Sequence, residues 1–142
     1  MALLSSACYT GPDAQHYAAV LDDLAVPGEW DLTKTEIRAP DSGVRCDPVA
    51  VSSCPAVTKT YLVDAEPLAA FQVAERMVSD AGFNVEREFI PTCDGPPTGP
   101  SCSFESKRDT DRVRVTVYRS THDAGLDNVP PGRIAVLVSA ER

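Results

Sequence analysis

Val57-Thr58-Lys59-Thr60-Tyr61-Leu62-Val63, then Asp64-Ala65-Glu66-Pro67, then Leu68 through Ala81 closed by Gly82, and then Phe83-Asn84-Val85-Glu86 read as strand, helix start, helix and strand. Val57, Tyr61 and Val63 alternate with Thr58 and Thr60, the period-two pattern of a strand rich in β-branched residues. Asp64 is placed to cap a helix, Glu66 and Pro67 suit its first turn, and Gly82 suits its end. Between them Leu68, Phe71, Ala74, Met77, Val78 and Ala81 fall on one broad apolar stripe, with Glu66, Glu75, Arg76 and Asp80 on the wetter side. Phe83, Val85 and Phe89 alternate with Asn84, Glu86 and Glu88, which predicts a second strand ending at Pro91. A crossover of about twenty residues lets the two strands run parallel, either side by side or split by an inserted strand.

Upstream of this unit, Tyr17, Val20, Leu21 and Leu24 recur at helical spacing after Asp13, predicting an amphipathic helix capped by Asp13 and stopped near Pro27-Gly28. Residues 29–38 read as a strand, but Trp30 and Leu32 fall on one face and Ile37 on the other, so a bulge or an edge position is required. The Pro-rich segment 39–56 is a loop. Downstream, Thr92 to Ser101 is a second such loop. Residues 102–107 and 112–119 form a hairpin about Asp109-Thr110-Asp111 with Val113, Val115 and Val117 facing the core. Ile134-Ala135-Val136-Leu137-Val138 is apolar on both faces and belongs at the centre of a sheet, covered on both sides. These elements make an α+β fold: a two-layer sandwich with a mostly antiparallel or mixed sheet of about five strands and the helices on one face. A ferredoxin-like variant is compatible with them.

The chain of 142 residues, 43% hydrophobic, fits one domain over residues 13–142, with residues 1–12 as a tether. A net charge of -8 argues against a nucleic-acid partner, which requires a basic patch. No internal run reaches the roughly eighteen apolar residues of a spanning helix. A glycine-rich phosphate loop is also absent from the sequence, and no cofactor is expected.

Five cysteines divide into four and one. Cys46 and Cys54 are eight positions apart and Cys93 and Cys102 nine, and each pair brackets a loop rich in Pro, Gly, Asp and Ser. Zinc sites and redox pairs use closer spacing, so the expected pairing is Cys46–Cys54 and Cys93–Cys102 as structural disulfides. Four cysteines allow three connectivities, and local closure is the favoured one. Cys8 is left over. The stretch Leu3-Leu4-Ser5-Ser6-Ala7-Cys8 resembles the lipobox of bacterial lipoproteins, with Ser5 standing where that motif has leucine. The resemblance implies residues 1–12 to be the remnant of a signal peptide and its tether, a lipid on Cys8, and an extracytoplasmic location on the outer face of the cell membrane.

His16 reads as a solvated residue of the first helical turn. Ser120, His122 and Asp123 contain the residue types of an acid–base set, and His122, Asp123 and Asp127 those of a cation site. Side chains adjacent in sequence rarely converge on one point, so a plain polar loop is the better reading and no catalytic or metal residue is assigned. Lys107, Arg108, Arg112, Arg114 and Arg119 cluster on the predicted hairpin. The outward set Arg112, Arg114 and Tyr118 suits an anionic partner such as a cell-wall polymer or an acidic protein surface. Cross-strand pairing to Glu86 and Glu88 is the competing, simpler reading. The expected function is a non-enzymatic binding or accessory domain at the cell envelope, its partner an envelope protein, a polymer or a small ligand. The alternatives are a hydrolase or metal-dependent enzyme using the 120–127 loop, and a secreted, unanchored interaction or inhibitor protein.

Overall fold

The structure, a computed structural model, describes residues 13–38, 54–86, 93, 100–119 and 132–142. Along the chain lie α1 (Ala14–Asp22), β1 (Asp31–Arg38), β2 (Ala56–Val63), α2 (Pro67–Asp80), β3 (Asn84–Glu86), β4 (Ser101–Arg108), β5 (Asp111–Tyr118) and β6 (Ile134–Glu141). The strands form one sheet of six, in the order β1-β2-β6-β5-β4-β3, and every neighbouring pair is antiparallel. The fold is α+β, with one strand more than expected. β2 and β3 do run in the same direction, but β6, β5 and β4 stand between them, so α2 carries the chain to the far edge. A ferredoxin-like order, in which one strand splits such a pair, does not hold. From that edge β3, β4, β5 and β6 return as a meander and close on β2.

Local chemistry sets the helix ends. The Asp13 carboxylate accepts from the His16 backbone N–H at 3.1 Å, the expected cap of α1. The start of α2 is corrected: Glu66, not Asp64, is its N-cap, with no side-chain cap bond. Pro67 is the cause, because a residue before proline is driven into extended backbone, and Glu66 sits at φ -69 and ψ 148. At the other end the Phe83 N–H donates to the Val78 carbonyl and the Gly82 N–H to that of Ser79, both at 3.0 Å, with Gly82 at φ 90. This is a Schellman cap, with Phe83 and Val78 buried together beneath it. Leu68, assigned to the apolar stripe, is instead 38% exposed in the first turn, and Ala70 takes the buried place.

The core is read from register, because residues directly opposite in an antiparallel pair share a face. Val57, Tyr61 and Val63 of β2 share theirs with Ala140, Val136 and Ile134 of β6. Val113, Val115 and Val117 of β5 continue it, as do Ser106, Phe104 and Cys102 of β4, and all are buried. Phe71 of α2 meets Phe104 edge to face, 5.2 Å between ring centroids. Lys59 occupies a core-side position in β2, and its Nζ reaches Asp22 at the end of α1 at 3.1 Å. β6 is central, as expected, and buried on both faces from Ile134 to Val136. Leu137 and Ser139 beyond that point are half-exposed.

Cys93 and Cys102 form a disulfide with Cα atoms 5.2 Å apart, tying the segment after β3 to buried β4. Cys54 is also disulfide-bonded, while Cys46, its expected partner, lies outside the described residues. The β4–β5 turn carries Asp109 at φ 55, a left-handed conformation that aspartate tolerates better than most residues. β1 is an edge strand, and its register with β2 shifts between Leu32 and Lys34. Both devices suggested by the conflicting hydrophobic pattern of residues 29–38 are therefore present.

Candidate functional site

The face of the sheet opposite the Phe104 side presents the chain's organised polar chemistry. Crossing the strands in register, one row runs Asn84, Lys107, Arg112, Glu141, Ala56, Arg38, and the next Glu86, Glu105, Arg114, Ser139, Thr58, Glu36. Each group projects there because strand side chains alternate, so the odd members of β4 and the even members of β5 and β2 turn away from the core.

Most of these groups already have partners. The Arg114 guanidinium donates twice to Glu105, from Nε at 3.0 Å and from a terminal nitrogen. Burial pushes the Glu105 carboxyl up, but the hydrogen bond and charge of Arg114, with the charges of Arg112 and Lys107, outweigh it and hold the group below the usual carboxylate range. Lys107 lies 3.6 Å from Glu86, Arg38 3.3 Å from Glu141, and Thr58 and Ser139 share a hydrogen bond of 2.7 Å. Cross-strand pairing is thus present, but Glu86 takes Lys107 and Arg114 takes Glu105, a partner the sequence reading does not name; Glu88 lies outside the described residues. Arg112 differs: its Nε is buried with no hydrogen-bond partner. Tyr118, half-buried, stands opposite Ser101 and Ala135, two register steps along β5 from Arg114.

The basic cluster seen in sequence is also split between faces. Arg108 lies on the Phe104 face, donating to the Ala81 carbonyl at 2.8 Å and pairing with Asp23 at 3.2 Å, its guanidinium 4.4 Å from the Phe83 ring centroid. On that side His16 keeps an exposed ring, as expected, yet its Nε2 lies 2.7 Å from Asp111 Oδ1. The two are 95 positions apart in sequence, a separation that local pattern does not bridge.

Open hollows lie among the described residues. One of about 140 Å³ is lined by Ala25, Val73, Arg76, Met77 and Asp80, and one of about 430 Å³ by Glu36, Ile37, Arg38, Ala56 and Thr58 along the β1 edge. Among the described residues no group of three or more His, Cys, Asp or Glu side chains is placed to hold a metal ion. Among them, too, no helix is long and apolar enough to cross a membrane. Cys8, Ser120, His122, Asp123 and Asp127 lie outside the described residues. No known family model matches this chain, and no curated protein or solved structure matches it either.

Proposed function

We propose that the chain is a non-enzymatic binding or accessory domain of the bacterial cell envelope, held on the outer face of the membrane by a lipid on Cys8. The observation that carries this reading is the Cys93–Cys102 disulfide, with Cys54 oxidised as well. Structural disulfides of this kind persist in oxidising compartments and are rare in the cytoplasm. In this reading the molecule is a two-layer sandwich with both helices on one face. The Phe71–Phe104 contact and the Lys59–Asp22 pair support it by bringing α2 and α1 to the same register face. The polar face is then left to meet a partner, an anionic group of an envelope polymer or protein, through its outward set Arg112, Arg114 and Tyr118.

The test is expression in the native genomic context, followed by cell fractionation and mass spectrometry of the Cys8 peptide. The expected result is membrane association with a diacylglycerol-sized mass on Cys8, both abolished by Cys8→Ser. Recovery from the cytoplasm with Cys93 and Cys102 alkylatable as free thiols would overturn the reading. Polyanion binding that is unchanged in Arg112→Ala would remove that residue from it.

A further inference from the structure

From the β1 edge we infer that β1 pairs with β1 of a second copy of this chain, joining two six-stranded sheets into one about a two-fold axis through Thr35. All eight residues of β1 are exposed, and they include two of the large exposed apolar side chains, Leu32 at 52% and Ile37 at 66%. The opposite edge, β3, is described over Asn84–Glu86, and its one apolar side chain there, Val85, is half-buried.

The register shift makes a symmetric pairing possible. A two-fold axis that joins antiparallel neighbours is perpendicular to the sheet and keeps each side chain on its own face. Opposed residues must therefore already share a face. Leu32 stands opposite Tyr61 and Ile37 opposite Val57, so the two lie on one face. Asp31, Lys34, Glu36 and Arg38, opposite Leu62, Thr60, Thr58 and Ala56, lie on the other. Were Thr33, whose hydroxyl is anchored to the Thr60 carbonyl at 3.1 Å, a regular member of the ladder instead of a bulged residue, Leu32 and Ile37 would alternate to opposite faces.

With Thr35 on the axis, Lys34 faces Glu36 of the second copy, Leu32 faces Ile37 and Asp31 faces Arg38, each pair occurring twice. Every opposed pair is complementary in charge or apolarity. Centring on Lys34 or Glu36 instead places like charges on the axis and leaves Leu32 and Ile37 unmatched. The charges already hold local partners, Lys34 with Glu36, Asp31 with Arg133 at 2.7 Å and Arg38 with Glu141 at 3.3 Å. Pairing would extend these into rows of alternating sign, Arg133, Asp31, then Arg38 and Glu141 of the second copy. Two strands of this length bury less than the roughly 1,200–2,000 Å² of a standard stable complex, so the association is weak and concentration-dependent.

The experiment is sedimentation velocity of the full chain carrying Cys8→Ser, which excludes an intermolecular disulfide, over a concentration series reaching about 1 mM. A monomer–dimer equilibrium is expected. Lys34→Glu and Glu36→Lys should each raise the dissociation constant by roughly tenfold, since each turns two attractive cross-strand pairs into repulsive ones. The double swap should restore it, and a mixture of the two single variants should associate as a heterodimer. Circular dichroism melts report whether each variant is folded. A wild-type chain monomeric throughout the series overturns the inference, and so does a dimer indifferent to these exchanges, including one formed by any other surface.

Discussion

Replacing both Cys93 and Cys102 by alanine should lower the melting temperature by about 12 °C. The bridge closes a loop of sequence separation 9, for which the chain-entropy model gives about 2.6 kcal/mol of lost unfolded-state freedom at 25 °C. Cys102 is 1% exposed and Cys93 8%, so truncating two buried sulfurs adds about 1 kcal/mol of transfer and packing loss. A chain of 142 residues, at about 2.1 cal/mol/K per residue, unfolds with an entropy near 0.30 kcal/mol/K. The staple is then worth about 9 °C and the sulfurs about 3 °C. Calorimetry gives the melting temperature, and urea titration gives a second, independent sign. The unfolded chain without this bridge exposes more surface, so the denaturant slope should rise as stability falls. A fall of less than about 3 °C with an unchanged slope would refute the loop-closure reasoning.

Phe104→Ala should cost about 3–5 kcal/mol, because it empties a fully buried site and strips Phe71 of its edge-to-face partner; urea unfolding reads it directly. Gly82→Ala should cost about 1–2 kcal/mol through its φ of 90 alone, since an added Cβ would meet only the Arg108 side chain at an ordinary 3.6 Å. Glu105→Gln should flatten the acid limb of the stability–pH curve. The folded carboxyl holds its charge below the usual range, so the unfolded chain takes up the proton first. Its contribution is complete above about pH 4.3 and is lost as pH falls through the folded value. Arg114 is 49% exposed, which keeps that contribution under about 1 kcal/mol in urea titrations from pH 2 to 7.

Pattern found most of the elements because they are amphipathic at their own period, and β6 because it is apolar on both faces. Tyr17, Val20 and Leu21 mark α1, the alternating valines mark β5, and Gly82 marks the end of α2. Asp64 failed as a cap because a proline three residues later overrides side-chain preference with backbone sterics. Strand order was illegible for a different reason. An apolar run such as Ile134–Val138 says that β6 is central, but not that it bridges β2 to β5. Chain connectivity places it last, and nothing in its own residues records which neighbours it takes. The conflict between Leu32 and Ile37 did carry information, since a hydrophobic pattern out of phase by one residue is what a bulge leaves in sequence. His16 with Asp111 had no such trace.

The fate of the basic residues limits where a partner can be met. α1 ends in Asp22 and Asp23, acidic groups at the negative end of a helix dipole, and each is answered by a cation from the sheet, Lys59 or Arg108. Arg108 also takes a carbonyl at the end of α2, while Asp111, across the same β4–β5 turn, takes His16 at the start of α1. One tight turn thus gathers three helix ends, and of the basic residues clustered on the hairpin Arg108 is spent on that junction. On the other face Lys107 and Arg114 are spent on Glu86 and Glu105. Among the described residues two features stand apart from these pairings: the Arg112 Nε, buried without a hydrogen-bond partner, and β1, at the end of the strand order. The first is a single donor, closed off from solvent. The second offers a strand's length of backbone donors and acceptors, with side chains matched in sign and apolarity to a second copy. Of the two, the β1 edge specifies its partner more fully.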